Sequence, residues 1–361
     1  MKVKDFLDII ECLAPSGLAL DWDNPGLQVG DPSAKVERAA LALDPSLANI
    51  RLALDLDCQL LVTHHPLIFK PVKRLSFSDP ATATACLALS GGLAVISAHT
   101  NWDAVGVAQE LADLLELENR RPLEGHCRRF LKLVVFVPES HEEKVRRAVH
   151  ATGAGTIGGY DGCFFWAQGR GGFKSPPEAQ PFLGQPGAEH VTPEARLEIV
   201  LPPQLRDEAT MAVLATHPYE EPALEFHEIA VPGPGFGLIG SWDPPRQDAA
   251  GFLQGLLGPN GLWAGPEPGP VSTVALMPGS GGGYVEAAHA QGAQILVTGD
   301  VGHHQALMAS EIGLTVFSAG HFETERPSLA RLARELAREV ASAGGGTELT
   351  ILDEIPPFRR I

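Results

Sequence analysis

The sequence predicts an α/β fold in which a smaller domain interrupts one larger α/β domain. Short apolar runs alternate with helical patterns in the first and last thirds of the chain, and this alternation is typical of layered α/β folds. The middle third has a different texture, with longer strand patterns and Gly-rich connections. Similar strand sequences stand on either side of that middle third, which indicates one domain in two halves.

Composition sets the class of protein. The chain has 361 residues, of which 44% are hydrophobic and 20% charged, and this globular composition excludes disordered and fibrous classes. At about 150 residues per domain, the length predicts two or three domains. The formal net charge of -17 repels a polyanion, so nucleic acid is not expected as a partner.

The N-terminal segment and the lengths of the apolar runs in the chain indicate where in the cell the protein is expected. No apolar run reaches the roughly 18 residues that a membrane span needs. The apolar pattern at the N-terminus contains Asp5, Asp8 and Glu11, which fits an amphipathic helix better than a signal peptide. We therefore expect a cytoplasmic protein without a membrane partner.

The first third of the chain supplies three strands and a helix. Apolar runs at 38–43, 59–63 and 93–98 are short and continuous, as buried strands of a parallel sheet are. The pattern over 103–116 predicts a helix.

The middle of the chain predicts a small α+β domain with its own core. Strand patterns at 130–138, 195–202 and 223–232 alternate with helical patterns at 140–154 and 203–217.

Strand and helix alternation resumes in the last third. Apolar runs at 272–277, 294–300 and 314–320 predict strands, and a long helix is predicted from about 325 to 342.

Two strand sequences of the first third recur in the last third. QLLVT at 59–63 matches QILVT at 294–298, and AVISA at 94–98 resembles TVFSA at 315–319. We interpret the two regions as halves of a single pseudo-repeated α/β domain. Chance similarity between strand sequences is the alternative.

Histidines and carboxylates follow the predicted strands at four places. Because ligands bind at the carboxyl ends of strands in open α/β sheets, we expect these places to converge if the strands share a sheet. The four groups are His64 and His65; His99 and Asp103; Asp300, His303 and His304; and His321, Glu323 and Glu325.

The residue types at these places favour a metal. The cysteines at 12, 58, 86, 127 and 163 form no CxxC pair, so a metal site would use His and carboxylates, which suit zinc, iron or manganese. His321 and Glu325 are four residues apart and would share one side of a helical turn. Three histidines and two carboxylates exceed the needs of one catalytic zinc and fit two metals, with Glu325 or a water as the bridge.

At each of these four groups, a purely structural role is the alternative to metal binding. The His64–His65 pair could serve packing, and His303 and His304 could face solvent at the start of a helix. Asp300 and Asp103 could each cap a following helix, which is the favoured interpretation of Asp300.

These motifs resemble those of the GTP cyclohydrolase I type 2 homolog family, whose members are also called NGG-interacting-factor-three-like proteins. The resemblance covers essentially the whole chain. The segments that carry it are DWDNPGLQVGD at 21–31, VTHHPLIF at 62–69, AHTNWDAV at 98–105, TGDVGHHQA at 298–306 and AGHFETERP at 319–327.

The middle segment resembles the domain that interrupts the longer bacterial members of this family. GAGTIGGYDGCFF at 153–165 and HPYEEPA at 217–223 both match that pattern. The resemblance thus implies a split, pseudo-repeated metal-binding α/β domain over 1–126 and 233–361, with an inserted ferredoxin-like, CutA/PII-like α+β domain over 127–232. It also implies a toroidal homohexamer built as a trimer of dimers.

The resemblance also implies a dinuclear centre and the side chains that form it. By motif match, two divalent ions (Zn, Fe or Mn) are held by five ligands, with Glu325 as the bridge. His99 and His304 match further positions beside the centre and are the candidate catalytic groups. The five ligands are His64, His65, Asp103, His321 and Glu325.

These inferences lead to a hypothesis of a divalent-metal-dependent hydrolase whose candidate substrate is GTP or a related nucleotide. In the GTP version, attack at purine C8 releases formate, and His99 or His304 carries protons, a task suited to an imidazole of near-neutral pKa. The main alternative is a metal-binding regulator or metallochaperone without turnover. A third is a ring that binds a macromolecule.

Overall fold

A computed structural model describes residues 1–125, 127–157 and 160–358 of the chain. His126 and residues 359–361, at the ends of the predicted segments 1–126 and 233–361, lie outside the described residues, as do Gly158 and Gly159 of the GAGTIGGYDGCFF motif. The strands of the described chain are β1 (Gly26–Val29), β2 (Arg38–Ala42), β3 (Leu60–Thr63), β4 (Ala94–Ser97), β5 (Glu118–Glu124), β6 (Cys127–Pro138), β7 (Phe165–Lys174), β8 (Glu189–Leu201), β9 (Leu224–Pro232), β10 (Phe236–Arg246), β11 (Leu262–Ala264), β12 (Val271–Met277), β13 (Ile295–Thr298), β14 (Thr315–Ser318) and β15 (Glu348–Ile351).

The helices lie between these strands. They are α1 (Val3–Leu13), α2 (Leu47–Asp55), α3 (Pro80–Ser90), α4 (Thr100–Trp102), α5 (Ala108–Leu114), α6 (Glu142–His150), α7 (Arg206–Thr216), α8 (Ala249–Leu257), α9 (Val285–Ala290), α10 (His303–Ile312), α11 (His321–Glu325) and α12 (Ser328–Ser342). A π-helical turn, Asp103–Val107, joins α4 to α5 without a break. Short 3₁₀ turns occupy Ser16–Leu18, Glu139–His141, Pro203–Leu205 and Gly281–Tyr284.

The chain divides into two compact units. One is Cys127–Pro232, and the other combines the segments before and after it. The prediction of an α/β protein with several sheets is confirmed. Among the described residues we find no helix with both the length and the apolarity that crossing a bilayer requires.

The larger unit contains two sheets with the same central arrangement. The first has the order β1-β4-β3-β2-β15, and the second has the order β11-β14-β13-β12-β10-β5. In each, three neighbouring strands are parallel (β2, β3 and β4; β12, β13 and β14), and an antiparallel strand follows the third (β1; β11). The inner strands β3 and β13 are fully buried, which explains their uninterrupted apolar sequences.

The Cys127–Pro232 unit is a four-stranded antiparallel sheet with two helices. Its connectivity is β6-α6-β7-β8-α7-β9 and its strand order is β7-β8-β6-β9. Leu133 and Leu197 of the sheet pack against Val145 of α6 and Val213 of α7 in one core.

Three predicted elements differ from the observed ones. The strand predicted at 195–202 begins at Glu189, because residues 189–198 pair with β7, a Gly-containing strand that the sequence pattern does not reveal. The helix predicted at 103–116 begins at Thr100. The helix predicted from about 325 to 342 is α12, which begins at Ser328; a separate short helix, α11, precedes it, and Pro327 lies between the two.

Packing of α1 on the first sheet gives a stability prediction. Phe6 is 0% exposed in a cluster with residues of β2, β3 and α12, so Phe6→Ala should lower the free energy of unfolding by about 3–5 kcal/mol. Phe77 is 67% exposed, and Phe77→Ala should cost about 0.5 kcal/mol or less. Urea unfolding of both variants measures this, and equal losses would contradict the assigned packing.

Candidate metal centre

Histidines from both sheets of the larger unit meet at one place. His64 and His65 follow the carboxyl end of β3, His99 follows β4, and His321 begins α11 just after β14. The ring centroids of His65 lie 5.0 Å from His64, 5.5 Å from His99 and 5.3 Å from His321. Histidines from three of the four polar groups therefore converge. The shared sheet on which the sequence argument rested is not the reason, because β3 and β4 lie in one sheet and β14 lies in the other.

The carboxylate of Glu325 lies within this cluster. Its Oε2 atom is 3.1 Å from Nε2 of His65, 3.1 Å from Nε2 of His321 and 3.8 Å from Nε2 of His64. The side chain is 5% exposed, and Asp103 Oδ1 approaches His64 Nε2 at 3.4 Å. Two carboxylates and three Nε2 atoms thus share one small volume.

Local backbone structure explains how these carboxylates reach the cluster. His321 and Glu325 are four residues apart on α11, so their side chains project from one side of the turn. Gly279 has φ of +66°, and a Cβ there would lie 2.1 Å from Glu325 Oε1, so glycine leaves the space that the carboxylate fills. Asp103 opens the π-helical turn, a rare geometry that often occurs at functional sites.

Every imidazole of the cluster is tethered through Nδ1. His64 Nδ1 lies 2.9 Å from the carbonyl oxygen of Ala98. The Nδ1 atoms of the other three lie 2.7–2.8 Å from carboxylates: Asp44 for His65, Asp23 for His99 and Asp300 for His321. In a neutral imidazole, an Nδ1–H that donates to such a partner leaves Nε2 unprotonated and able to bind a cation, which is the usual arrangement around metal-binding histidines.

The donor atoms fall into three groups that could each hold a metal ion. They are His65, His321 and Glu325; His64, Asp103 and Glu325; and His64, His65 and His99. Within each group the candidate ligand atoms lie within 4.8 Å of one another. Clusters of His and carboxylate side chains that could bind a metal are therefore present.

Comparison with known proteins identifies the family. Residues 1–356 match the family Duf34/NIF3 (NGG1p interacting factor 3). The chain belongs to the DUF34/NIF3 family. The resemblance inferred from the sequence motifs is thereby confirmed.

Named relatives and solved structures agree with the DUF34/NIF3 assignment. The chain is similar to a GTP cyclohydrolase 1 type 2 homolog of Bacillus subtilis (strain 168), with 33% identity over 327 residues that cover 88% of each protein. A Listeria innocua protein of the same name is 33% identical over 88% of this chain and 87% of its own. The structure is similar to that of a Bacillus cereus protein related to NIF3 (TM-score 0.68, 28% identity, 100% and 99% coverage). It is also similar to Staphylococcus aureus protein SA1388 (TM-score 0.70, 26% identity, 100% and 99% coverage).

Charge in the DUF34/NIF3 cluster is balanced by its imidazoles. Burial disfavours charge on His65, but the carboxylates of Asp44 and Glu325 outweigh it and raise the pKa of His65 to about 10. Glu325 likewise raises the pKa of His321 to about 9 against the effect of burial. Burial lowers the pKa of His64 to about 3, so this imidazole is neutral at pH 7.

The pKa values of the two carboxylates, Glu325 and Asp103, are shifted in opposite directions. Burial disfavours ionisation of Glu325, but the positively charged imidazoles of His321 and His65 hold its pKa well below the usual value. Burial and the charge of Glu325 raise the pKa of Asp103 well above its usual value. A cation bound between the two carboxylates would favour the ionised form of both.

Two buried atoms test whether a metal fits. Within the described chain, Nε2 of His64 and Oε2 of Glu325 are buried and have no hydrogen-bond partner, although imidazole nitrogens lie 3.1 Å from that oxygen. Buried polar atoms are costly to leave unsatisfied. A cation between them would satisfy both, so the residues fit a divalent metal; nitrogen with carboxylate oxygen suits zinc, iron or manganese alike.

A cavity of about 520 Å³ opens onto this cluster. His65, His99, Asp103, His321 and Glu325 all line it. His64, which is 1% exposed, lies behind them. The cluster is thus accessible to a small molecule rather than sealed in the core, as a purely structural metal site would be.

The structure bears on the helix-capping role considered for two aspartates. The prediction that Asp300 caps a helix is wrong, because α10 begins at His303 with Gly302 at its N-cap, and Asp300 binds His321 instead. Asp103 does not cap a helix at Ala104 either, since the helical segment already begins at Thr100.

Sequence reasoning also missed two carboxylates, and the structure puts two of its candidate histidines away from the cavity wall. Asp44 and Asp23 were not predicted, although Asp44 follows β2 as the histidines follow their strands. His303 and His304 are exposed in the first turn of α10, with ring centroids 5.5 Å apart, and neither lines the cavity. A catalytic role for His304 stays a prediction.

Removal of individual donors tests the centre. His65→Ala and Glu325→Ala should each lower the metal bound per chain, because each deletes a donor from at least one of the three groups. His303→Ala removes an exposed histidine and should leave the metal content unchanged. Elemental analysis of the three purified proteins measures this, and full occupancy in both cluster variants would refute the site.

The tethering carboxylates give a second test. Asp44→Ala removes the acceptor of His65 Nδ1 without deleting a donor, and loss of such a partner should weaken metal affinity by about 10–100-fold. Asp55→Ala, an exposed aspartate of α2, is the control and should have no effect. Competition with a chromogenic chelator measures both affinities; equal affinities would show that the tether does not position His65.

Proposed function

We propose that the protein is a divalent-metal-dependent hydrolase with a dinuclear centre. The ligands would be His64, His65, Asp103, His321 and Glu325. The observation that carries this proposal is that two donor groups, His65 with His321 and His64 with Asp103, have Glu325 in common. A single carboxylate shared by two such groups is suited to bridge two ions.

A pair of divalent ions would supply acidified water and electrophilic assistance to the bond being cleaved. The chain itself would hold the centre rigidly. Because three imidazoles and their Nδ1 carboxylates form fixed pairs, the Nε2 atoms keep their direction when a substrate enters. Glu325 would neutralise positive charge from within the protein, and the cavity would admit the substrate from the other side.

His99 is the proposed proton carrier. It lines the cavity, its Nδ1 is tethered to Asp23 at 2.7 Å, and its ring centroid lies 5.5 Å from that of His65. It would take a proton from the attacking water and donate it to the leaving group. His99 also belongs to the donor group His64, His65 and His99, which supports an alternative role as a metal ligand. The metal content of His99→Ala distinguishes the two roles.

The name of the relatives supports a purine nucleotide as the substrate. Several similar proteins are named GTP cyclohydrolase 1 type 2 homolog. On this basis we propose GTP or a related nucleotide, with hydrolytic attack at C8 of the purine and release of that carbon as formate.

We also propose the architecture that the sequence motifs imply. The matched strand orders of the two sheets support a pseudo-repeated domain in two halves, 1–126 and 233–361. The βαββαβ connectivity with β6 and β8 at the centre is that of ferredoxin-like folds, and it supports a CutA/PII-like insert over 127–232. Assembly as a toroidal hexamer, a trimer of dimers, belongs to the same proposal.

Turnover of the metal-loaded protein tests the function. We expect formate release from GTP that stops on chelation and returns with added Zn²⁺, Mn²⁺ or Fe²⁺. His99→Ala should slow release by about 10²–10⁴-fold with full metal content, because it removes only proton transfer.

Other outcomes would support the alternative roles of His99 and of the protein. Loss of metal in His99→Ala would identify His99 as a ligand. A fully loaded protein that hydrolyses no nucleotide or phosphoester would refute the hydrolase proposal in favour of a metal-binding regulator or metallochaperone.

A further inference from the structure

The cavity beside the histidine cluster has an exposed aromatic wall. Trp22 and Phe69 line it and are 56% and 47% exposed, with ring centroids 5.7 Å apart and planes inclined at 57°. The ring of His99 lies 6.0 Å from Trp22 and 6.5 Å from Phe69. Two large aromatic rings thus stand open to the cavity next to the proposed proton carrier.

The loop that carries Trp22 is fixed to the metal centre. The Asp23 side chain is 0% exposed; it binds His99 Nδ1 at 2.7 Å and accepts from the backbone N–H of Thr100 at 3.0 Å. The residue adjacent to Trp22 is therefore held by the same contact that orients an imidazole of the cluster.

The loop that carries Phe69 is tied to the Trp22 loop. The side-chain amide of Asn24 donates to the carbonyl of Ile68 at 2.6 Å, and the N–H of Ile68 donates to Gln28 Oε1 at 3.1 Å. Because the neighbours of Trp22 and Phe69 are joined in this way, the two loops that carry the aromatic pair are tied to each other. Such preorganisation reduces the entropy lost on binding.

Charge in the cavity limits what this wall can bind. Of the described residues that line the cavity, none is Lys or Arg, and its carboxylates are Asp103 and Glu325. Phosphate groups in proteins are usually bound by Arg, Lys or clusters of backbone N–H groups. Away from the histidine cluster, the wall therefore offers apolar and aromatic contact rather than cationic contact.

We propose that Trp22 and Phe69 form a binding subsite for a planar heteroaromatic ring of the substrate, and that this ring is recognised independently of any phosphate chain. The ring packs against the aromatic pair with the edge that is to be hydrolysed, C8 in a purine, towards the histidine cluster. This inference rests on the proposed hydrolase function and deepens it by naming the substrate class. Aromatic side chains bind the flat faces of bases by stacking, and this contact needs no phosphate group.

Binding of phosphate-free probes tests the subsite. Isothermal titration of the metal-loaded, full-length protein with guanosine should show binding, whereas ribose, which lacks the ring, should not bind. Trp22→Ala should weaken guanosine binding by about tenfold or more, and Trp22→Phe should recover most of it. The metal content of both variants should equal that of the wild type.

The guanosine-binding test includes a matched control, Trp166→Ala, and a second subsite variant, Phe69→Ala. Trp166 is 46% exposed in the Cys127–Pro232 unit, and Trp166→Ala should bind guanosine as the wild type does. Phe69→Ala should also weaken binding, which guards against a folding defect specific to Trp22→Ala. If guanosine does not bind up to its solubility limit, or binds both alanine variants with unchanged affinity, the subsite is refuted.

Failure of this inference differs from failure of the proposed function. Metal-dependent hydrolysis that is unchanged in Trp22→Ala and Phe69→Ala would reject the subsite and keep the hydrolase. Trp22-dependent guanosine binding by a loaded protein that hydrolyses nothing would keep the subsite and reject the hydrolase.

Discussion

The buried carboxylate of Glu325 is the constraint on which the rest of the site depends. An ionised group that is 5% exposed is stable only if positive charge or strong donors surround it. Three imidazole Nε2 atoms face its Oε2, yet none makes a hydrogen bond to it. Two states would balance its charge: protonated imidazoles, or divalent ions bound by neutral imidazoles. Because the three Nε2 atoms lie near Oε2 without making hydrogen bonds to it, the structure favours the state with bound divalent ions.

The arrangement of two similar sheets makes this convergence possible. One sheet contributes His64, His65 and His99 from the ends of β3 and β4, and the other contributes His321 and Glu325 from the turn after β14. In each sheet these strands are parallel, so their carboxyl ends open on the same edge. Neither half of the chain contains the full set of donors, so the centre requires both. Three of the four strands with similar sequences, β3, β4 and β14, precede histidines of the cluster.

Much of the centre could be predicted from the sequence because its signal is local. A buried parallel strand has a continuous apolar sequence, and the polar residues that follow it stand out, as in VTHHP after β3 and AGHFETE after β14. The tethers could not be predicted, because Asp23, Asp44 and Asp300 act across 76, 21 and 21 residues of chain. Asp300 also has the sequence signature of an N-cap, and only the position of His321 shows its role. Strand β7 escaped prediction for a similar reason: pairing with β8, rather than its own Gly-containing sequence, makes it a strand.

Diffraction at the metal absorption edges from crystals of the metal-loaded protein tests the central claim most directly. A dinuclear centre bridged by Glu325 predicts two anomalous peaks, one on each side of that carboxylate, with ligand distances of about 2.0–2.2 Å. One peak should adjoin His65 and His321, and the other should adjoin His64 and Asp103. A single peak, or peaks that do not contact Glu325, would contradict the account.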